Sequence, residues 1–356
     1  MAYSSITKPS DYFNTVLYTG NGSTQSITGV GFTQDFTWIK IRSETNHNRL
    51  LDTVRGATKE LYSDLTSAEV TGANGLTSFN SDGFTLGTDH GFNKSSATYA
   101  SWNWLGANGT ASNSNGSITS TVSANTTAGF SIVSWTGSGA DATIGHGLSS
   151  APTIYIVKNR SDASDWRIGQ VLTSSNNMTN GNGYYMELND TKASTNPGSA
   201  DTWGATPTAP TSSVFTVGSN NAHNGSSDNM IAYCFHSVKG YSKMGSYTGN
   251  GSTDGTFIYT GFKPAFFITK NTTTGSSNWM LYDNKRDPNN QMAEYLYPNS
   301  SAAAGTNAQG MDFLSNGIKM RNTFGDANSS DTFIYMAFAE EPLVANVGTS
   351  IPATAR

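Results

Sequence analysis

Along most of the chain apolar side chains alternate with small polar ones in short runs broken by Gly, Asn, Asp and Pro. FTWIKIR (Phe36 to Arg42), TIYIVKNR (Thr153 to Arg160) and FFITKN (Phe266 to Asn271) are three such runs. A period of two marks a strand with one buried face. Between residues 239 and 342 the pattern predicts strands near residues 244, 257, 266, 279, 295, 312, 318 and 335, separated by turn formers such as Gly-Asn-Gly, Asp-Pro-Asn-Asn and Ser-Asn-Gly. So many short antiparallel strands predict a two-sheet sandwich, jelly-roll-like or lectin-like. An immunoglobulin-like sandwich is the alternative, although its Cys…Trp…Cys spacing is missing.

The pattern recurs. YTGNGST occurs at Tyr18 to Thr24 and again at Tyr247 to Thr253, with a degenerate WTGSGAD from Trp135. The intervals of about 115 residues have the length of a small domain. Further anchors follow in constant order: GFTLG, VFTVG and GIKMR, then an Asn-led turn (Asn93, Asn224, Asn328), then the closing strands YASWNW, MIAYCF and FIYMAF. The expectation is an all-β chain of three tandem antiparallel β-sandwich repeats, at residues 15–105, 130–238 and 239–342. An N-terminal docking arm (1–14), a Gly/Ser/Asn-rich linker (106–129) with one edge strand expected in its ITSTV part (Ile118 to Val122), and a C-terminal tail (343–356) flank them. On the closing strands Ala100, Trp102 and Trp104, with Ile231, Tyr233 and Phe235 and with Ile334, Met336 and Phe338, form the face expected to be the core. The alternate residues are expected to meet a neighbouring unit or subunit.

Composition supports cores built from β strands. Apolar residues make up 36% and charged residues 13%, yet there are 17 Phe, 16 Tyr and 7 Trp, more aromatic material than disordered chains carry. A net charge of −5 with no Lys/Arg cluster argues against nucleic acid as a partner. The one cysteine, Cys234, excludes an internal disulfide framework. The first residues lack the pattern of a secretory signal, and no stretch has the apolar length of a membrane span, so synthesis in a cytoplasm without membrane insertion is expected.

Candidate chemistry is sparse. There is no Gly-x-Ser-x-Gly elbow and no phosphate-binding loop. The five histidines are scattered, and Cys234 with His236 lacks further zinc ligands. Asp283 to Glu294 has the length of a calcium loop but places Lys285 and Pro288 where an oxygen ligand and a Gly are required. Asp52 with Arg55 and Asp283 with Arg286 share an Asp-x-x-Arg spacing, read as a loop-fixing salt bridge. No carboxylate pair recurs across the copies, so no catalytic residue, metal or cofactor is expected. Tyr184 with Tyr185 and Tyr295 with Tyr297 are the candidate glycan-contact aromatics.

YTGNGST, Gly261 to Lys270, TSFNSDGFTLG (Thr77 to Gly87), AGFSIVSWTG (Ala128 to Gly137) and YMAFAEEP (Tyr335 to Pro342) resemble a family of three-repeat, β-rich virion proteins of marine bacteriophages. The resemblance spans nearly the whole chain. It implies a non-enzymatic structural protein on the particle exterior, made in the host cytoplasm: a tail fibre or tail-associated host-recognition component. The alternatives are a capsid decoration or head-fibre protein and a lectin-like adhesin binding host-surface glycan. Other virion proteins are the implied partners, with a homo-oligomer, such as a trimer, expected.

Overall fold

The strand that ends each segment of this protein is buried on both faces, which places it between two cores. A computed structural model describes residues 4–198 and 202–343 of the chain, with 307–309 described by backbone alone. The N-terminal segment contributes β1 (Phe13–Thr19), β2 (Gln25–Thr28), β3 (Phe36–Ile41), β4 (Arg49–Asp52), β5 (Lys59–Tyr62), β6 (Val70–Thr71), β7 (Leu76–Asn80), β8 (Gly83–Leu86) and β9 (Thr98–Trp104). The middle segment contributes β10 (Ala111–Asn113), β11 (Ser120–Asn125), β12 (Phe130–Thr136), β13 (Ala142–Gly145), β14 (Ile154–Asn159), β15 (Arg167–Gln170), β16 (Met186–Glu187), β17 (Val214–Val217) and β18 (Asn229–Phe235). The C-terminal segment holds β19 (Ser242–Thr248), β20 (Phe257–Tyr259), β21 (Phe262–Asn271), β22 (Met280–Asp283), β23 (Met292–Tyr295), β24 (Gly305–Leu314), β25 (Gly317–Met320) and β26 (Thr332–Pro342). Each of the eight strands expected in the C-terminal segment has a counterpart here.

The protein is all-β, and its strand ladders are antiparallel. The larger sheets run β1-β9-β3-β4-β5-β6, β10-β11-β12-β18-β14-β15-β16 and β19-β26-β21-β22. The smaller ones run β2-β8-β7, β13-β17 and β20-β25-β24-β23. In each segment the closing strand therefore lies between the same two neighbours. Lys40 pairs with Ala100, Lys158 with Ile231 and Lys270 with Ile334, fixing a common register.

This register assigns the two faces. Tyr99 belongs to the core between the N-terminal sheets, Met230, Ala232 and Cys234 to that of the middle segment, and Phe333, Tyr335 and Ala337 to that of the C-terminal segment. Ala100, Trp102, Trp104, Ile231, Tyr233, Phe235, Ile334, Met336 and Phe338 instead join one central core shared by all three. Trp104, Phe235 and Phe338 close a triangle, with ring centroids 6.5, 5.7 and 6.2 Å apart. The sequence expectation is thus corrected: the face taken for each unit's own core is the one that joins units. In the middle and C-terminal segments both faces are apolar with the same period, so periodicity alone could not tell them apart, and in the N-terminal segment the polar Ser101 and Asn103 of the second face are buried as well.

Where a linker with one edge strand at ITSTV is expected, residues 106–129 hold two strands. These are β10 and β11, which extend the middle sheet from the edge of β12. Small and β-branched residues suit β11, which pairs with β10 on one side and β12 on the other and makes a shallow apolar contact of Val122 with Val133 and Ile144. At the N-terminus, expected as a docking arm, Ile6 is buried in the central core and residue 13 already begins β1. Apart from Leu343, the expected C-terminal tail lies outside the described residues.

The recurring Tyr-Thr-Gly-Asn-Gly motif is a clasp. Asn93, Asn224 and Asn328 each end a single helical turn and are wholly buried. Their carbonyls accept from Gly22, Gly139 and Gly251 N–H at 2.8, 2.8 and 2.7 Å. Their side chains hold the same loop: the Asn93 and Asn328 Oδ1 atoms accept from the amides of Asn21 and Asn250 at 2.9 and 3.2 Å, and that of Asn224 from Ser138 at 3.2 Å. The approach is so close that a Cβ on Gly20, Gly137 or Gly249 would lie 2.2, 2.1 or 2.0 Å from a backbone oxygen.

Candidate functional site

A buried polar network lies where the three segments meet. Lys40, Lys158 and Lys270 sit on β3, β14 and β21, strands that run through the interior, and each is wholly buried. Every one of these ammonium groups donates to a carbonyl of its own following loop: Asn46, Ser164 and Ser277, at 2.8, 2.8 and 2.7 Å. Each also crosses to the next segment, to the carbonyls of Ser301, Thr66 and Thr191 at 3.1, 3.0 and 3.0 Å. Those three carbonyls in addition accept the backbone N–H of Asn46, Ser164 and Ser277, so both lone pairs are used. Burial lowers each lysine pKa to about 8, with nearby aspartates opposing the shift.

A second set of donors crosses the same junctions. The residue before β4, β15 and β22 is Asn48, Trp166 and Trp279, and they donate to the carbonyls of Tyr297, Tyr62 and Glu187 at 3.2, 2.7 and 2.9 Å. Ion pairs reinforce two of the three junctions: Arg42 grips Glu294 through three contacts of 2.8 to 3.1 Å, and Arg160 holds Glu69 at 2.8 and 2.9 Å. The junction of the N- and C-terminal segments, farthest apart in sequence, is built like the other two.

The Asp-x-x-Arg pairs belong here too. Arg55 Nε meets Asp52 Oδ2, and Arg286 Nε meets Asp283 Oδ2, both at 2.5 Å, while Nη2 of each arginine donates to Leu50 or Leu281 carbonyl at 2.8 or 2.9 Å. The expected loop-fixing role is present, and a second one accompanies it. Tyr233 of the middle segment donates to Asp52 at 2.7 Å, and Trp102 of the N-terminal segment donates to Asp283 at 3.0 Å. Burial works against the charge on Arg55, yet Asp52, Tyr233 and Glu69 hold its pKa well above the ordinary value. In the middle segment Gln170 and Thr173 occupy the corresponding Asp and Arg places and bond to each other at 3.0 Å, and Met336 stands where Tyr233 and Trp102 do. Replacing every charged or donating member together avoids an orphaned buried charge.

The four aromatic residues singled out in the sequence do not converge. Tyr184 and Tyr185 are half-buried. The Tyr184 carbonyl accepts from Trp203 at 3.0 Å, and the Tyr185 ring lies under the Arg167 guanidinium at 3.9 Å. Tyr295 and Tyr297 pack on each other at 5.1 Å and on the C-terminal core, and burial raises the Tyr297 phenol pKa. Cys234 lies inside the middle sandwich, where burial pushes its thiol pKa up. Of the calcium-like stretch, Asp283 pairs with Arg286 and Glu294 with Arg42. Among the described residues no three His, Cys, Asp or Glu side chains converge as metal ligands, and no helix is long and apolar enough to cross a membrane. The sequence did carry one unread signal of the junction, a lysine at the same place in three otherwise apolar strands.

Fold and junction together define an antiparallel β protein in which three two-sheet segments interlock around one core. The chain belongs to the family described as domain of unknown function DUF7483, whose model matches residues 8–342. No curated protein matches it.

Proposed function

We propose that this chain is a non-enzymatic structural protein of a bacteriophage particle exterior, a tail fibre or a tail-associated component of host recognition. The observation that supports the reading is the junction: the buried lysines and the Asp52 and Asp283 networks are spent on holding segments together. Groups so enclosed, and bonded mainly to one another and to carbonyls across the junctions, give a fixed shape and offer no reacting atom to solvent. The particle setting comes from the resemblance carried by YTGNGST and YMAFAEEP. The three segments are read as copies of one unit, because strand order, the lysine contacts and the Asn clasp recur at corresponding places. Other virion proteins are the partners in this reading.

Cryo-electron microscopy with immunogold labelling of purified particles tests it. Label along the tail supports the proposal, and label on the head selects the decoration-protein alternative. Absence of the chain from purified particles refutes both. The mass of the purified protein in solution tests further self-association into a homo-oligomer.

A further inference from the structure

Asn-Gly occurs nine times in the chain. At this dipeptide the asparagine side chain is readily attacked by the next backbone nitrogen, because glycine adds no side chain to crowd the approach. The fold decides which of the nine steps can react. At Asn21 and Asn250, in the clasps, the nucleophile is occupied: Gly22 and Gly251 N–H donate to the carbonyls of Asn93 and Asn328 at 2.8 and 2.7 Å. The Asn21 and Asn250 side-chain oxygens accept in turn from Ser23 and Ser252 N–H at 2.7 and 3.1 Å. Gly75 and Gly183 N–H also donate to carbonyls, at 3.2 and 2.9 Å, and Gly317 pairs with Leu314 in a hairpin. The side chains of Asn180, Asn182 and Asn224 are held by Asn177 N–H, Gly198 carbonyl and the Trp135 indole.

Two steps remain, Asn108-Gly109 and Asn115-Gly116, on either side of β10. Among the described residues neither their asparagine side chains nor their glycine N–H groups have a hydrogen-bond partner. Around Asn115 the chain is pinned: a Cβ on Gly116 would lie 2.2 Å from Thr143 carbonyl oxygen, and Ser117 N–H donates to Thr143 Oγ1 at 2.8 Å. Around Asn108 it is open. Nothing lies within 4 Å of the place for a Cβ on Gly109. Asn108 is exposed, has φ 52°, and is anchored only through its own N–H, which donates to Asp35 Oδ2 at 3.0 Å. Exposure does not set it apart, since Asn21 and Asn250 are exposed as well. The freedom of both reacting groups does.

We infer that Asn108 is a site of spontaneous modification in the folded protein, converting to aspartate and isoaspartate. The Gly109 nitrogen loses its proton and adds to Asn108 Cγ. The Cγ–Nδ2 bond breaks, Nδ2 takes up a proton and leaves as ammonia, and a five-membered succinimide is closed. Water then opens the ring. Cleavage at Cγ gives aspartate, and cleavage at the main-chain carbonyl gives isoaspartate, whose backbone runs through Cβ and is one atom longer. Either product puts a carboxylate on the residue that Asp35 holds. The buried Asp35 Oδ2 accepts from Gly106 and Asn108 N–H at 2.8 and 3.0 Å. Repulsion between the two carboxylates and the longer backbone of isoaspartate both act against these bonds, so the stretch leading into β10 loosens.

Peptide mapping by mass spectrometry of the full chain, aged at neutral and at mildly alkaline pH, tests this. In the folded chain Asn108 is expected to convert ahead of Asn21 and Asn250, and more rapidly at the higher pH, because the glycine nitrogen must lose its proton. In urea, with the clasps open, Asn21 and Asn250 are expected to draw level with Asn108, since the three share one dipeptide. Gly109→Ala, for which the fold has room, is expected to slow conversion at Asn108 by about tenfold, because the added methyl crowds the attack. Hydrogen exchange at residues 106–113 is expected to quicken in the aged protein. Asn108 still intact in the folded chain when the unfolded chain has converted, one common rate for all three sites in the folded chain, or a Gly109→Ala chain that converts as quickly as the parent overturns the inference. Unchanged exchange at residues 106–113 after conversion overturns the loss of the Asp35 bonds.

Discussion

The phenol of Tyr233 donates a 2.7 Å hydrogen bond to the carboxylate of Asp52, which lies 181 residues earlier in the chain and in another segment. Asp52 is at the same time the partner of Arg55, so a local ion pair is also a long-range lock. Removing only the phenolic hydroxyl, by Tyr233→Phe, takes one donor from a buried carboxylate. The expected loss is about 1.5–3 kcal/mol, read from urea unfolding. The triple change Asp52→Gln, Arg55→Thr and Tyr233→Met imports the neutral set found at Gln170, Thr173 and Met336. It is expected to cost less than the three single changes summed, because no charge is left without its partner.

The junction lysines give stability a pH dependence with a definite sign. Their folded pKa of about 8 lies below the ordinary 10.5. Between about pH 8 and 10 the unfolded chain binds more protons, so stability rises with pH; below about pH 8 both states are charged and the contribution is flat. Above about pH 10 the direction reverses. Burial raises the phenol pKa of Tyr18, Tyr155, Tyr233 and Tyr241, so the folded chain then keeps protons that the unfolded chain releases. Urea midpoints at about pH 7, 9 and 11 should rise and then fall. Lys158→Met should flatten the rise and lower the midpoint at neutral pH, since Thr66 and Ser164 carbonyls lose a donor.

The clasp predicts which glycines tolerate a methyl group. In Gly249→Ala the new carbon meets Ser329 carbonyl oxygen at 2.0 Å, so the loop must move, at a cost of about 1–3 kcal/mol. Gly109→Ala meets nothing within 4 Å and is expected to fall within about 0.5 kcal/mol of the parent. Thermal unfolding of the two variants side by side checks this.

Because the central core is shared, no segment should be stable when separated. A fragment ending at residue 105 would expose Phe36, Trp38, Trp102 and Trp104, which are buried in the whole protein. It is expected to aggregate, or to bind a hydrophobic dye without a near-ultraviolet circular dichroism signal. Co-expression with residues 106–356 should restore a soluble complex. A soluble, folded and monomeric fragment would contradict the shared core.

Much of the fold was legible because its determinants are local. Alternation at FTWIKIR or FIYMAF sets a strand, Gly-Asn-Gly sets a turn, and a run of anchors in order marks three segments. The candidate site was not legible, for two reasons. Lys40, Lys158 and Lys270 have partners in another segment, and nothing near them in sequence reveals which carbonyls they reach. The aromatic residues chosen as exposed, Tyr295 and Tyr297 among them, are half-buried, while Phe257 and Tyr259, at an edge that lacks an added strand, stand in solvent. Exposure at a strand edge depends on what the rest of the chain lays against it.

The sequence by itself determined that this protein is all-β, where its strands and turns fall, and which residues are apolar on each strand, because these follow from backbone sterics and a period of two. Only the tertiary structure decided which apolar face looks into a sandwich and which into the common core. It also turned the Asp-x-x-Arg pairs into locks between segments. Each of those outcomes depends on groups distant in sequence coming to share one solvent-free volume, where an unpaired charge or carbonyl is too costly to leave.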